Sequence, residues 1–334
     1  MKQVAALAGV GTKTVSRVIN DEPNVSADTA ARVWDAVRTL DYHVNLQAGS
    51  LRRAGGRTNT LGLLVGSVDN PFSGAIHRAV EDVALQRDVA VFASSLDDDP
   101  ERESRAVSAF LRRRVDGLIL TTASAQPTYI GPVIQRGIPV VYIDREPIGA
   151  GLDAVTSDNR AGADAATEHL IQQGHRRIAL LADRLTIQTA RDRQQGFLDA
   201  LGRAGIPTTM TPMITELHNA ESAQEALTRL LASNEPPTAI FSSQNLVTVG
   251  ALHALRAAGL QNSVALVGFD DIPLADLLEP GVTIVAQDPE QIGRVAAERI
   301  FARLDGDRGP AHHEVVPTTL VRRGSGEIRP PVEQ

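Results

Sequence analysis

The 334-residue chain contains no cysteine, and lysine occurs at only two positions, Lys2 and Lys13. The absence of cysteine excludes disulfides, thiolate metal sites and a cysteine nucleophile. Beyond residue 13, no lysine is present to form a Schiff base or to serve a lysine-bearing phosphate loop. No apolar run approaches the ~18 residues that a membrane span requires, and the opening segment turns polar too soon for a signal peptide. We therefore expect a cytoplasmic protein that does not associate with a membrane.

Basic side chains are fewer than acidic ones, 33 against 40, and the net charge of −7 by itself argues against a polyanionic partner. The charge is unevenly distributed along the chain. Residues 1–57 carry eight basic and five acidic side chains, a net charge of +3, so the remainder carries −10. Residues 1–20 contain no acidic side chain. The N-terminal segment is therefore the part of the chain that suits a polyanion.

The first forty residues predict three short helices. A helix over 2–8 is followed by the break Gly9-Val10-Gly11, and a second helix over 12–20 then resumes. Two helices joined by a tight glycine-containing turn are typical of a helix-turn-helix. Ser26 is a good N-cap for the third helix, whose apolar residues recur at helical spacing and would pack against the first two. We expect this small helical domain to cover residues 1–41.

Residues 42–60 lose periodicity and contain Gly55-Gly56, so they are interpreted as a hinge or linker with at most one short helix. From residue 61 short apolar runs alternate with helical stretches, a pattern that indicates parallel strands with crossover helices. With 43% hydrophobic residues the chain is long enough for two such doubly wound units in tandem. Ligand-contacting residues in these sheets follow the carboxyl ends of the strands. Position alone therefore makes candidates of 69–72, Asp144, 244–245 and 270–271.

Residues 4–20 (VAALAGVGTKTVSRVIN), with NVSADTAARV after them, resemble the DNA-binding module of the lactose-repressor (LacI/GalR) family. The likeness continues through 70–72 (NPF), 115–117 (VDG) and 267–271 (VGFDD), and so covers almost the whole chain. The resemblance implies a periplasmic-binding-protein-like core of type I, which dimerises and binds a small effector, often a sugar. It places one lobe at about 61–157 and 289–317, and the other at about 158–288 and 318–330.

The resemblance also implies roles in DNA binding. Thr12, Lys13 and Arg17 occupy positions that read base edges in the major groove. Thr14, Ser16 and Asn20 match positions that hold phosphates without reading sequence. Leu51 stands where the family wedges a leucine into the minor groove. Two departures, Val44 and Gly49, weaken the hinge helix that the family carries here. An ordinary solvated helix face is the alternative for the polar residues, and an ordinary apolar linker residue is the alternative for Leu51.

For the effector, Arg193 and Asp270 match the arginine and the hydroxyl-binding aspartate of the family, and Asp144 matches a further pocket carboxylate. The remaining candidates stand at or near pocket positions: Asn70, Phe72, His218 and Gln244. For three of these residues, an alternative that involves no ligand stays open. Asp270 could cap a short helix, Arg193 could be a solvated helical arginine, and His218 could be a partly exposed loop residue. Asp97-Asp98-Asp99 is interpreted as a solvated loop, and His312-His313 lacks nearby ligands for a metal.

The sequence thus predicts a dimeric transcription regulator, most simply a repressor, whose heads bind a pseudo-palindromic operator in double-stranded DNA. A sugar-like effector in the core would shift its conformation. A transport-type sugar-binding protein is the first alternative, but it would need a signal peptide and no DNA-binding head. An enzyme on a doubly wound fold is the second, but no GxSxG, GxGxxG or lysine-bearing phosphate loop occurs. We expect no catalytic residue, no cofactor and no metal.

Overall fold

The computed structural model describes residues 1–19, 22–42, 56–124, 126–147 and 151–331. The chain divides into two compact units, Met1–Asn59 and Thr60–Gln334. In the described ranges, no helix combines the length and the apolar character needed to cross a bilayer.

The N-terminal unit contains the three predicted helices: α1 (Lys2–Ala8), α2 (Thr12–Ile19) and α3 (Ala27–Thr39). Gly9 ends α1 at φ 64°, in the left-handed region that favours glycine. Ser26 caps α3 by accepting a hydrogen bond from the backbone N–H of Thr29 at 3.3 Å. The small core is built from aliphatic side chains of all three helices: Val4, Ala5, Ala8, Val15, Val18, Val33 and Ala36. The glycine turn and the cap thus produce a compact helix-turn-helix with a third helix behind it.

The larger unit is an α/β core with two six-stranded sheets, as the apolar pattern predicts. All strand pairs of the first sheet are parallel, and the order is β11-β5-β4-β3-β1-β2. Its strands are β1 (Thr60–Val65), β2 (Ala90–Ser95), β3 (Gly117–Leu120), β4 (Val140–Ile143), β5 (Asp153–Ser157) and β11 (His313–Val316). Its helices are α4 (Pro71–Leu85), α5 (Pro100–Arg112), α6 (Ile130–Gln135) and α11 (Pro289–Leu304). We call this sheet with its helices the first lobe.

The second sheet has the order β12-β10-β9-β8-β6-β7, and only the β10–β12 pair is antiparallel. Its strands are β6 (Ile178–Leu181), β7 (Met213–Ile214), β8 (Ala239–Ser242), β9 (Ala265–Phe269), β10 (Thr283–Ala286) and β12 (Thr319–Val321). Its helices are α7 (Asn159–Gln172), α8 (Gln188–Arg203), α9 (Ala220–Leu231) and α10 (Asn245–Ala257), with 3-10 turns at Thr208–Met210 and Ser325–Glu327. We call this sheet with its helices the second lobe.

The chain passes between the lobes three times: after β5, after β10 and after β11. Both sheets have buried apolar strands, and apolar side chains from the flanking helices complete the core of each lobe. Because the strands are parallel, their carboxyl ends lie at one edge of each sheet. The loops at these edges line a single cleft between the lobes.

Candidate functional site

The cleft between the lobes encloses a cavity of about 450 Å³, within the range of small-molecule sites. It is lined by residues that follow strands of both sheets and by the first turns of α4, α8 and α10. Every effector candidate from the sequence lies on its wall: Asn70, Phe72, Asp144, Arg193, His218, Gln244 and Asp270. The lobes therefore bring together side chains that are up to 200 residues apart in sequence.

Each lobe places one aspartate at the same structural position. Asp144 follows β4 and Asp270 follows β9, and both have left-handed backbones, with φ of 67° and 69°. The backbone N–H of Asp144 donates to the carbonyl of Val155, and that of Asp270 donates to the carbonyl of Val285. These bonds join each aspartate to the neighbouring strand while the turn directs the chain away from the sheet. The cleft thus has a carboxylate on either wall.

An arginine accompanies each carboxylate. On the first lobe, Nη1 of Arg145 donates to the carbonyl oxygen of Thr122 at 2.7 Å, and Nη2 donates to Oδ1 of Asp98 at 2.6 Å. Nε of Arg145 lies 3.7 Å from Oδ2 of Asp144. Arg145 is therefore fixed by its own lobe before any ligand arrives.

On the second lobe, Arg193 is held on three sides. Its Nε donates to Oδ1 of Asn159 at 2.8 Å, and its Nη1 donates to the carbonyl oxygen of Ser243 at 2.7 Å. The guanidinium carbon lies 3.8 Å from the ring centroid of Phe269, a cation–π distance. Nη1 also lies 3.6 Å from Oδ2 of Asp270. The planar group is thus oriented at the cavity wall by contacts that a flexible lysine could not reproduce.

The structure excludes two of the alternatives that assign no ligand contact, one for Arg193 and one for Asp270. Arg193 is not a solvated helical arginine, because only 6% of its side chain is exposed. Asp270 does not cap the following turn: Oδ1 of Asp271 accepts the hydrogen bond from the N–H of Ile272 at 2.9 Å. Asp270 instead accepts from Nε2 of Gln287 at 2.6 Å. Both residues therefore have the burial expected of site residues.

Burial sets the acidity of the two wall carboxylates. Desolvation raises the pKa of Asp144, and the charges of Arg145 and Arg193 oppose the rise. Desolvation likewise raises the pKa of Asp270, against the charge of Arg193 and the hydrogen bond from Gln287. Both carboxylates are consequently costly to leave without a hydrogen-bonding partner.

Two amides join the lobes directly across the cleft. Nδ2 of Asn245 donates to Oδ1 of Asn70 at 2.9 Å, and Nδ2 of Asn70 lies 3.4 Å from Oδ1 of Asn245. Asn70 also caps α4, and Gln244 caps α10. Phe72 packs on the core of the first lobe and contributes an apolar surface to the cavity. The predicted Asn70 and Gln244 therefore act in capping as well as lining the cleft.

His218 forms a second connection between the lobes. Its Nδ1 lies 2.9 Å from Oδ1 of Asp183 on the same lobe, and its Nε2 lies 3.7 Å from Oδ2 of Asp98 on the other. The hydrogen bond with Asp183 raises the pKa of His218, and partial burial opposes the rise. His218 is partly exposed, at 33% of its side chain, as the alternative interpretation of a loop residue expects. Its imidazole is nevertheless paired with Asp183.

We predict that His218 makes the stability of the core depend on pH. Because the pKa is raised in the folded state, the contribution is complete below the unfolded pKa of about 6.5. It is lost as the pH rises through the higher folded value. His218→Asn should therefore lower the free energy of unfolding at pH 5.5 by about 1 kcal/mol, and much less at pH 8.5. Denaturant unfolding at both values tests this against His312→Asn, an exposed histidine paired with Glu314. Equal losses at both pH values would contradict it.

The lining residues that sequence reasoning missed include Asp98, Arg145, Asp183 and Gln287. The interpretation of 97–99 as a solvated loop is wrong for Asp98, whose side chain is only 12% exposed because it pairs with Arg145. A usable signal was present for Asp183, since it directly follows the apolar run 178–182. In the part of the chain that the structure describes, no three side chains are grouped to hold a metal.

The N-terminal unit presents a second candidate surface on α2. Thr12, Lys13 and Arg17 are exposed there, whereas Val15 and Val18 are buried. Thr14 and Ser16 are half-buried at the margins of the same face. Nε of Arg17 lies 3.8 Å from Oε2 of Glu22, an exposed ion pair. Asn20 and Leu51 lie outside the described residues.

Two protein families match this chain. Residues 1–45 match the family described as bacterial regulatory proteins, lacI family, and residues 167–326 match the periplasmic binding protein-like domain. The ribose operon repressor of Escherichia coli K12 is 32% identical over 330 residues, which cover 97% of this chain and 99% of the relative. The similarity therefore spans both units.

Solved structures match over the same extent. The lac repressor dimer bound to operator and the anti-inducer ONPF superposes with a TM-score of 0.84 at 27% identity, covering 97% of each chain. A complex of the transcriptional regulator CelR with cellobiose superposes with a TM-score of 0.70 at 31% identity, covering 97% of this chain and 98% of that one.

Proposed function

The chain belongs to the lacI family of bacterial regulatory proteins, and we propose that it is a dimeric DNA-binding repressor controlled by a small sugar-like effector. The observation that carries the proposal is a pair of separate sites on one chain. A helix-turn-helix exposes Thr12, Lys13 and Arg17, and a closed cleft sets Arg193 and Asp270 against Asp144. The first site suits a duplex, and the second suits a ligand rich in hydroxyls.

The proposed duplex contacts divide by chemistry. Lys13 and Arg17 donate to guanine acceptors in the major groove, and the methyl group of Thr12 contacts a thymine methyl. The hydroxyls of Thr14 and Ser16, with the amide of Asn20, bind phosphates and set the register. Leu51 enters the minor groove as a wedge. Two such heads on a two-fold axis would bind a pseudo-palindromic operator.

The proposed effector contacts use both walls of the cleft. Asp144 and Asp270 accept hydroxyl hydrogens, Arg193 donates from its oriented fork, and Phe72 covers an apolar face of the ligand. Asn70, His218 and Gln244 complete the wall. The ligand would thereby bind both lobes at once and favour their closed arrangement, which is the condition for coupling to the heads.

The sheet to which each strand belongs supports the proposed domain limits. The helical head covers 1–41, the hinge 42–60 and the core 61–334. We assign 61–157 and 289–317 to the first lobe, and 158–288 and 318–330 to the second. Three connections pass between these lobes, so a change in one cannot be isolated from the other.

The same proposal covers location and chemistry. A regulator of transcription acts where the DNA is, so we place it in the cytoplasm. Its characterised relatives are regulators of transcription, and we propose that binding, without catalysis, is the activity of the cleft. Effector exchange then requires no cofactor or metal.

Selection of bound duplexes from a random pool, with and without a panel of free sugars, tests the proposal on the full chain. Recovery of a pseudo-palindrome whose retention changes with one sugar is the expected result. Recovery of no enriched sequence would overturn the function.

The only two lysines provide a matched test of the head. Lys13→Ala should weaken binding to the selected operator by about 10- to 100-fold, because a lost base contact costs roughly 1–3 kcal/mol. Lys2→Ala, an exposed change at the start of α1, should have little effect. Titration of labelled operator by fluorescence anisotropy measures both. Equal losses would show a general charge effect in place of a base contact.

A further inference from the structure

The cavity wall is rich in hydrogen-bond acceptors that the protein leaves open. Six aspartates line it, and four of them are largely buried: Asp98 and Asp144 from the first lobe, and Asp183 and Asp270 from the second. Within the described residues, no group donates a hydrogen bond to either carboxylate oxygen of Asp144. The other three are each held through Oδ1, and Oδ2 has no donor within 3.5 Å among those residues. An ionised carboxylate only accepts, so these oxygens require donors from the ligand.

The positive groups of the cavity are already balanced. Arg145 is bonded to Asp98 and to the carbonyl of Thr122, and Arg193 is bonded to Asn159 and to the carbonyl of Ser243. Two guanidiniums therefore face four largely buried carboxylates, and even a protonated His218 leaves the wall with a carboxylate excess. An incoming anion would have to displace Asp98 from Arg145, or approach Arg193 beside Asp270.

Helix N-termini, the usual anion sites of such sheets, are also occupied. The side-chain oxygens of Asn70, Asn219 and Gln244 accept the first-turn N–H groups of α4, α9 and α10. The first turn of α8 lacks a side-chain cap. At three of these four helix N-termini, a side-chain oxygen therefore already accepts a first-turn hydrogen bond that a phosphate would otherwise take.

We propose that the effector is a polyhydroxy compound of monosaccharide to small oligosaccharide size without an anionic group, and that the cleft rejects phosphorylated sugars and sugar acids. Each hydroxyl supplies a donor to an open carboxylate oxygen, whereas a phosphate or carboxylate supplies acceptors and like charge. This inference rests on the proposed function of the cleft as an effector site.

Isothermal titration of the full chain with matched sets of ligands tests the proposal. Each set contains a free sugar (D-ribose, D-xylose, D-glucose or D-galactose), its terminal phosphate and its aldonic acid. At least one free sugar should bind, and its phosphate and acid should bind at least about 100-fold more weakly. Tighter binding of an anionic member would overturn the proposal. So would failure of every free sugar to bind at millimolar concentration.

A charge variant tests the stated cause. Asp98→Asn keeps the shape of the side chain and leaves Arg145 unbalanced, so the preference for free sugar over its phosphate should fall by about tenfold. Asp183→Asn provides a second variant with the same expected direction. Asp199→Asn, which removes an exposed partner of Arg160, should leave the preference unchanged. An unchanged preference in both cavity variants would refute the electrostatic cause.

Operator binding, measured in parallel, separates the two proposals. If the chain binds a free sugar but no DNA, the proposed ligand class stands and the proposed regulatory function is refuted. If the chain binds DNA and responds only to a phosphorylated sugar or a sugar acid, the proposed regulatory function stands and the proposed ligand class is refuted.

Discussion

Replacement of Arg193 by alanine should abolish the response to effector while operator binding persists. Truncation of a buried, hydrogen-bonded cation costs about 2–5 kcal/mol, which corresponds to roughly a 30-fold to several-thousand-fold loss of affinity. The loss has two parts. The ligand loses an oriented donor, and Asp270 loses the positive charge that lies 3.6 Å away. Effector titrations of the operator complex should therefore show no change in DNA retention over the range in which the unaltered chain responds.

Two further variants separate a ligand contact from a general loss of folding. Arg203→Ala removes an arginine of the same helix whose exposed side chain pairs with Asp164, and it should respond as the unaltered chain does. Arg193→Lys keeps the charge but loses the planar fork, so it should bind the operator normally and still lack most of the effector affinity. An intact response in both Arg193→Ala and Asp270→Asn would refute the assignment of these residues to the effector.

Gly196→Ala should be the most destabilising single substitution that we predict. A Cβ at this position of α8 would lie 2.1 Å from the carbonyl oxygen of Arg160 and 2.9 Å from the backbone nitrogen of Asp164, both on α7. Backbone atoms cannot move aside as a flexible side chain can, so the two helices must separate. We expect a loss of about 3 kcal/mol in the free energy of unfolding, and a thermal midpoint lower by several degrees.

Gly202→Ala is the matched control on the same helix. A Cβ there meets no atom within 4 Å, so alanine should stabilise the helix by about 0.4–1 kcal/mol. Thermal unfolding of both variants, followed by circular dichroism, should give midpoint shifts of opposite sign. Shifts of equal size and sign would contradict close packing as the cause. Arg193 lies one turn from Gly196, so the same close contact also positions Arg193 at the cleft.

Part of the fold could be predicted because its signal is local. The three helices of the head were predicted to within a residue or two, since a glycine break and a serine cap mark their limits. The buried strands 117–120 and 239–242 can be predicted from the sequence, because each is a short apolar run between polar turns. The apolar pattern did not predict the strands Asp153–Ser157 and Thr283–Ala286. Asp153 and Thr283 are polar, and their burial depends on partners distant in sequence.

The residues of the candidate site also divide into those that the sequence could identify and those that it could not. Asp144 and Asp270 could be identified because they directly follow apolar strands, and the family resemblance pointed to Arg193. Asp98 could not be identified, because three consecutive aspartates suggest solvent until Arg145 is seen to pair with the middle one. The reciprocal amide pair of Asn70 and Asn245 was equally hidden, since it joins residues from different lobes.

By itself the sequence determined the order of two parts, a positive helix-turn-helix followed by an acidic α/β core. Charge balance, glycine turns and apolar runs depend on residues that are neighbours in sequence, so they can be identified without knowledge of the fold. Only the tertiary structure decided what meets in the cleft. It set two arginines against four largely buried aspartates and left several carboxylate oxygens without donors, because the contacts that satisfy or expose a polar group depend on both lobes together.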